Sequence, residues 1–130
     1  MSSLENNHPP DIGKRGEDLV AQWLQKQGWQ VLHRRWHCRW GEIDIIAYSQ
    51  VEGLIFVEVK TRSFENWDAG GLEALTTNKQ AKLRKAAEIY LVEHPDLAEL
   101  PCRFDVAIVV ACTRINFNLT LKAYIPSAFD

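Results

Sequence analysis

Two short β-prone runs carry charge among apolar side chains, and this limits how the chain can fold more than any other feature. Gly41-Glu42-Ile43-Asp44-Ile45-Ile46-Ala47 is followed, after a polar connection from Tyr48 to Gly53, by Ile55-Phe56-Val57-Glu58-Val59-Lys60-Thr61-Arg62. A polar, Gly-bearing connection between two such runs predicts a hairpin. Side chains alternate along strands, which predicts Glu42, Asp44 and Ile46 on one face, and Phe56, Glu58 and Lys60 on one face of the next strand. With those faces matched, carboxylates and an ammonium converge. Charges inside apolar strands are costly to bury unless they are paired or bind metal. The plainest reading is an exposed Glu58–Lys60 or Asp44–Lys60 ion pair. Three charges so spaced in apolar runs point instead to a built site. Asp44 and Glu58 offer hard oxygen ligands suited to Mg²⁺ or Mn²⁺. Lys60 could orient or help deprotonate an attacking water, or offset charge on a phosphoryl transition state.

These motifs, with Gly-Lys-Arg-Gly-Glu at 13–17 and Asn78-Lys79-Gln80 further on, resemble the YraN-like family of bacterial proteins. That family is assigned to the PD-(D/E)XK nuclease superfamily and is similar to archaeal Holliday junction resolvases. The resemblance runs from about Ile12 to Val110. It implies a restriction-endonuclease-like α/β domain, with Asp44, Glu58 and Lys60 in the superfamily's Asp, Glu and Lys positions. It further implies metal ligation by Asp44, Glu58 and the backbone carbonyl of Val59, and catalytic roles for Glu17 and Gln80. The Pro of the superfamily motif is absent, since Ile43 precedes Asp44. The Glu-Val-Lys triplet therefore carries most of the likeness.

The chain has 130 residues, the size of one domain with a single core. No apolar run reaches the roughly 20 residues of a membrane span, and the first residues lack a signal-peptide core, so the expectation is a cytoplasmic protein without a membrane partner. Cys38, Cys102 and Cys112 make neither an even set nor a C-x-x-C spacing, which argues against disulfides and a zinc ribbon. A net charge of −2 by itself argues against a dedicated nucleic-acid coating protein. A nuclease can still concentrate its basic groups beside an acidic site. Lys14 and Arg15, Arg34, Arg35 and Arg39, Arg62, and Lys79 and Lys82 are the candidate nucleic-acid contacts.

Residues 1–11 read as a polar arm, and 12–130 as the domain. Val20, Trp23, Leu24 and Gln27 have helical spacing, with Gly28 as C-cap. Glu17 sits near that helix's start, where it could face the sheet or simply suit the helix dipole. Trp29–Trp36 predicts a strand that enters a basic, aromatic turn at 37–40. That turn suits phosphate contact by Arg and stacking of a base on Trp, or equally an edge strand with Trp in the core. Residues 63–71, with two glycines, predict a loop that could close on substrate or merely connect elements. Thr77-Asn78-Lys79-Gln80 has the form of a capping box. It opens a second helix with Leu83, Ala86, Ala87, Tyr90 and Leu91 as its apolar stripe, closed by Pro95. Lys79, Lys82 and Lys85 line one side, facing a phosphate backbone or only solvent. Residues 96–101 predict a linker and 104–111 a strand covered on both faces, with Asp105 structural. Residues 115–125 predict a half-buried strand ending at Pro126.

The predicted order is α-β-β-β-α-β-β, a mixed sheet flanked by helices. The functional expectation is a metal-dependent endonuclease acting on DNA, with branched or structured DNA as its substrate. Its alternatives are a non-catalytic nucleic-acid-binding module and an RNA-directed nuclease. Two symmetry-related strands of a duplex would suit a homodimer.

Overall fold

The computed structural model describes residues 11–63, 75–112 and 117–130. Helix α1 spans Ile12–Lys26 and helix α2 spans Thr77–Glu93. Strands β1 (Gln30–Cys38), β2 (Gly41–Ser49), β3 (Gly53–Ser63), β4 (Cys102–Cys112) and β5 (Asn118–Phe129) form one sheet in that order. Every neighbouring pair is antiparallel except β3 and β4. A parallel pair needs a crossover, and α2 supplies it. The expected element order and the mixed, helix-flanked α/β sheet are both present. No helix among the described residues is long and apolar enough to cross a membrane.

The helices cover opposite faces. Val20, Ala21 and Leu24 of α1 pack with Ile45, Ala47, Ile55, Val57, Ala107 and Val109. Ala86, Ala87 and Tyr90 of α2 pack with Ile43, Ile46, Leu54 and Phe56. Leu24, Tyr90 and Phe56 are almost wholly excluded from solvent. Burial of Leu24 or Phe56 contributes roughly 1.5–3 kcal/mol each. Strand β4, between β3 and β5, is covered on both faces, Ala107 and Val109 packing with α1 and Val106 and Ile108 with Leu75 and Leu83, which explains its nearly unbroken apolar run.

Several boundaries differ from the sequence reading. Asp11 belongs with α1 and not with an arm: its carboxylate caps the helix by accepting from the Lys14 N–H at 3.0 Å. Residues 1–10 lie outside the described residues. Gly28, at φ 99°, ends α1 as expected, because the left-handed region is open to glycine. Strand β1 continues through His37 and Cys38, leaving only Arg39 and Trp40 in the turn. The N-cap of α2 is Thr76, whose hydroxyl accepts from the Lys79 N–H at 3.2 Å. Thr77 is already inside the helix, and Gln80 donates to the Leu75 carbonyl instead of closing a capping box. Strand β5 does not stop at Pro126. It is an edge strand, where a missing N–H breaks no outer ladder, and the register shifts beside Pro126. Ser127, at φ 51°, turns its N–H to Asp105 at 3.0 Å. The expected linker at 96–101 includes the end of a 3₁₀ turn, Pro95–Leu97, and its Pro101 carbonyl accepts from Leu54 at 2.9 Å. The loop expected at 63–71 falls, beyond Ser63, outside the described residues, as does the predicted start of β5 at 115.

Candidate metal centre

Residue size at one helix position sets up the site. A Cβ on Gly16 would collide with the Thr61 hydroxyl, so glycine lets the first turn of α1 lie against β3. The next residue, Glu17, is thereby held over the sheet and buried to 8% exposure. Its carboxylate accepts from Arg35 Nε at 2.8 Å. Arg35 itself has φ 53°, an uncommon conformation for a residue with a side chain.

The second device is a fork between β2 and β3. Their ladder runs from Ser49↔Gly53 to Ile45↔Val57 and stops there. Continuing the same register would set Asp44 opposite Glu58. Asp44 instead accepts the Val59 backbone N–H through Oδ2 at 2.7 Å, in place of a ladder bond. Simple alternation fails at this point: Ile43 packs on the α2 side and Ile45 on the α1 side, although they are two residues apart. The expectation that Glu42, Asp44 and Ile46 share one face is therefore wrong. Ile46 packs under α2, while Asp44 meets Glu17 of α1. On β3 the expected sharing holds. Phe56 packs under α2, Glu58 lines a hollow beside α2, and Lys60 Nζ lies 3.0 Å from Glu58 Oε2.

Carboxylates gather at the fork. Glu17, Glu42 and Asp44 each present an oxygen within 4.8 Å of the others. Burial, and then the Glu58 carboxylate beside it, push Asp44 up to about 8, against the pull of the Val59 N–H. Lys60, at 9% exposure, is the buried cation that answers this charge. Asp44, Glu58 and Lys60 thus do come together, and Glu17 with them. Glu42 is the residue the sequence reading left out of the site, although its place in Gly-Glu-Ile-Asp, two residues before Asp44, was a usable signal. Gln80 is tied elsewhere: besides Leu75, it accepts from Arg84 at 3.4 Å.

The basic groups divide into two sets. Arg34 pairs with Asp18 at 2.7 Å and holds that carboxyl below its usual range; Lys14 also pairs with Asp18, at 3.3 Å. Arg15 lies over the Phe117 ring, Arg39 over Trp40, and Arg62 donates to the Thr61 carbonyl. Lys79 and Lys82 line the hollow that also holds Trp40, Glu42 and Glu58. Asp105 is structural, as expected: fully buried, it accepts from Arg103, from the Tyr124 hydroxyl at 2.6 Å and from Ser127.

The family model described as uncharacterised protein family UPF0102 matches residues 16–109, a span that holds Glu17, Glu42, Asp44, Glu58, Lys60 and Gln80. The chain belongs to UPF0102. This is the YraN-like group that the motifs resemble. A UPF0102 protein of Nostoc sp. is 53% identical over 133 residues, covering 92% of this chain and 94% of its own length. One from Synechococcus sp. is 54% identical over 130 residues, covering 99% of this chain and 95% of that relative. One from Acaryochloris marina is 59% identical over 106 residues, 75% of this chain and 62% of the longer relative. The second likeness extends over 99% of this UPF0102 chain, so it takes in the two helices and five strands of the described residues.

Proposed function

We propose that this UPF0102 chain is a divalent-metal-dependent endonuclease for DNA, with its reaction centre at the fork between β2 and β3. The observation that carries the reading is Asp44, a carboxyl pushed up to about 8 among Glu17, Glu42 and Glu58. Such a cluster is short of positive charge, and all its side-chain donors are hard oxygens, which fits Mg²⁺ or Mn²⁺. Asp44, Glu58 and the Val59 carbonyl would hold the ion, with Glu17 and Glu42 able to extend the oxygen set. When bound, the ion supplies Lewis-acid polarisation of the phosphoryl group.

The chain's own residues do the rest. Lys60, fixed by Glu58 at 3.0 Å, is placed to offset charge developing on the phosphoryl oxygens and to orient the attacking water. Arg35 orients Glu17 through its Nε, and the Val59 N–H fixes Asp44. Lys79 and Lys82 draw the phosphate backbone towards this acidic centre. The likeness to PD-(D/E)XK enzymes and archaeal resolvases supports DNA, branched or structured, over RNA, and a homodimer would match the two strands of a duplex. The donor set itself addresses the phosphodiester and not the sugar.

A non-catalytic nucleic-acid-binding module is the second reading. Its favouring observation is that Arg35 already occupies Glu17. Calorimetric titration with Mn²⁺ tests the metal centre. The parent should bind, and Asp44→Asn and Glu58→Gln should bind much more weakly. Undiminished binding in both variants would remove the ion from this site.

A further inference from the structure

We infer that the hollow between the β1–β2 turn and α2 receives an unpaired nucleotide of the substrate, its base against Trp40 and its phosphate against Lys79 and Lys82. This rests on the nuclease reading above and adds the class of DNA: one with an unpaired nucleotide beside the scissile bond.

Trp40 is the starting observation. Trp23, Trp29 and Trp36 all pack in or against the two helix-covered cores, but Trp40 belongs to none of the apolar clusters among the described residues. It stands at the tip of the β1–β2 hairpin, half-buried, its backbone N–H donating to Cys38 Sγ at 3.4 Å. Trp40 lines two hollows. One, of about 170 Å³, is lined by Trp40, Gly41, the carboxylates Glu42 and Glu58, Lys79, Lys82, Leu83 and Ala86. The other lies along the far half of α2 and includes Lys85. Arg39 lies 4.9 Å and Lys85 5.1 Å from the ring centroid.

An aromatic face with Arg39 and Lys85 against it, beside Lys79 and Lys82 and opening on the proposed phosphodiesterase centre, is complementary to a nucleotide. Lys79 and Lys82 supply charge for a phosphate, and Leu83 and Ala86 supply an apolar floor. Exposed cation–π contacts are weaker than the stacking of a base on an aromatic ring, so an arriving base can take the ring face from Arg39 or Lys85. A paired base cannot do this, because its faces are already stacked within the duplex. An unpaired one can, and the linkage next to it then lies on the side of Glu58 and Lys60.

Fluorescence anisotropy with Ca²⁺ present tests this on three labelled probes: a paired duplex, the same duplex with one unpaired nucleotide, and that duplex with the unpaired nucleotide made abasic. The parent should favour the unpaired nucleotide by about 5- to 150-fold, the range set by stacking of one base on an aromatic side chain. The abasic probe should lose this preference. Trp40→Ala should erase it while keeping paired-duplex affinity, and Trp40→Tyr should retain most of it. Equal binding of all three probes by the parent overturns the inference, and that comparison needs no variant to fold. A preference that survives in Trp40→Ala overturns it as well. Metal-dependent cleavage of the paired duplex without any preference would sink this inference alone. Absence of both binding and cleavage would sink it together with the nuclease reading.

Discussion

Asp44→Asn should make the metal-free protein more stable at high pH, even though it alters the centre of the site. The carboxyl stands at 3.8 in an unfolded chain and about 8 in the folded one, raised first by burial and then by Glu58. At about 1.4 kcal/mol per pH unit, full ionisation in the folded state costs roughly 6 kcal/mol more than in the unfolded state. The sign follows from the folded chain holding the proton more tightly. Asp44 favours folding most below pH 4, and that advantage is lost as pH rises from about 4 to 8. Asn keeps an oxygen for the Val59 N–H and carries no charge. The stability difference between variant and parent should therefore be small near pH 4, about 3 kcal/mol at pH 6, and level off near 6 kcal/mol above pH 8. Urea denaturation in EDTA, followed by circular dichroism from pH 4 to 9, measures it. Adding Mn²⁺ at pH 8 should narrow the gap, by about 2.7 kcal/mol at a hundredfold excess over Kd, because ligand binding stabilises only the protein that binds it. A difference that stays constant across the pH range would refute the buried-carboxyl argument.

Other residues give independent outcomes. Lys60→Ala should leave Mn²⁺ and DNA binding in place while hydrolysis falls by about 10²- to 10⁴-fold, as for loss of a positioned proton-transfer group; parallel binding and cleavage assays read this. Replacing Lys79 and Lys82 together with Ala should flatten the salt dependence of duplex affinity by roughly one to two in log–log slope, measured by anisotropy across a salt series. Gly16→Ala should cost about 1–3 kcal/mol by driving a methyl into the Thr61 hydroxyl. Among the described residues that buried hydroxyl has no partner, so adding Thr61→Ala should recover most of the loss in thermal melts. Asp105→Ala should cost roughly 3–5 kcal/mol in urea titrations, since it strips Arg103, Tyr124 and Ser127 of their shared acceptor.

Much of the fold was legible because its signals are local. Helical spacing from Val20 to Gln27, Gly28 after it, and the bare apolar run of β4 each name their element without reference to the rest of the chain. Asp44, Glu58 and Lys60 were legible for another reason: charge inside an apolar strand is conspicuous wherever the strand goes. The errors came where tertiary structure broke a period. Alternation placed Asp44 with Ile46, but the β2–β3 ladder ends at Ile45, and Asp44 turns across the fork to Val59. Thr76 and Thr77 are equivalent as sequence, and only the Lys79 N–H decides which one caps α2. Pro126 looked like a stop, and an edge strand made it a bulge. Glu42 lies beside Asp44 in the cluster, as alternation over two residues allowed, but the site reading passed it over. Trp40 showed its aromatic character in the sequence, but its separation from the core is a fact of packing alone.

Cleavage itself tests the account most directly. Labelled linear, flapped and four-way-junction DNAs and matching RNAs, incubated with the parent in Mg²⁺ or Mn²⁺, should give metal-dependent cleavage of at least one DNA. EDTA, Asp44→Asn and Glu58→Gln should each abolish it. If no substrate is cut in either metal, or if cutting persists undiminished in both variants, the fork between β2 and β3 is not a nuclease centre.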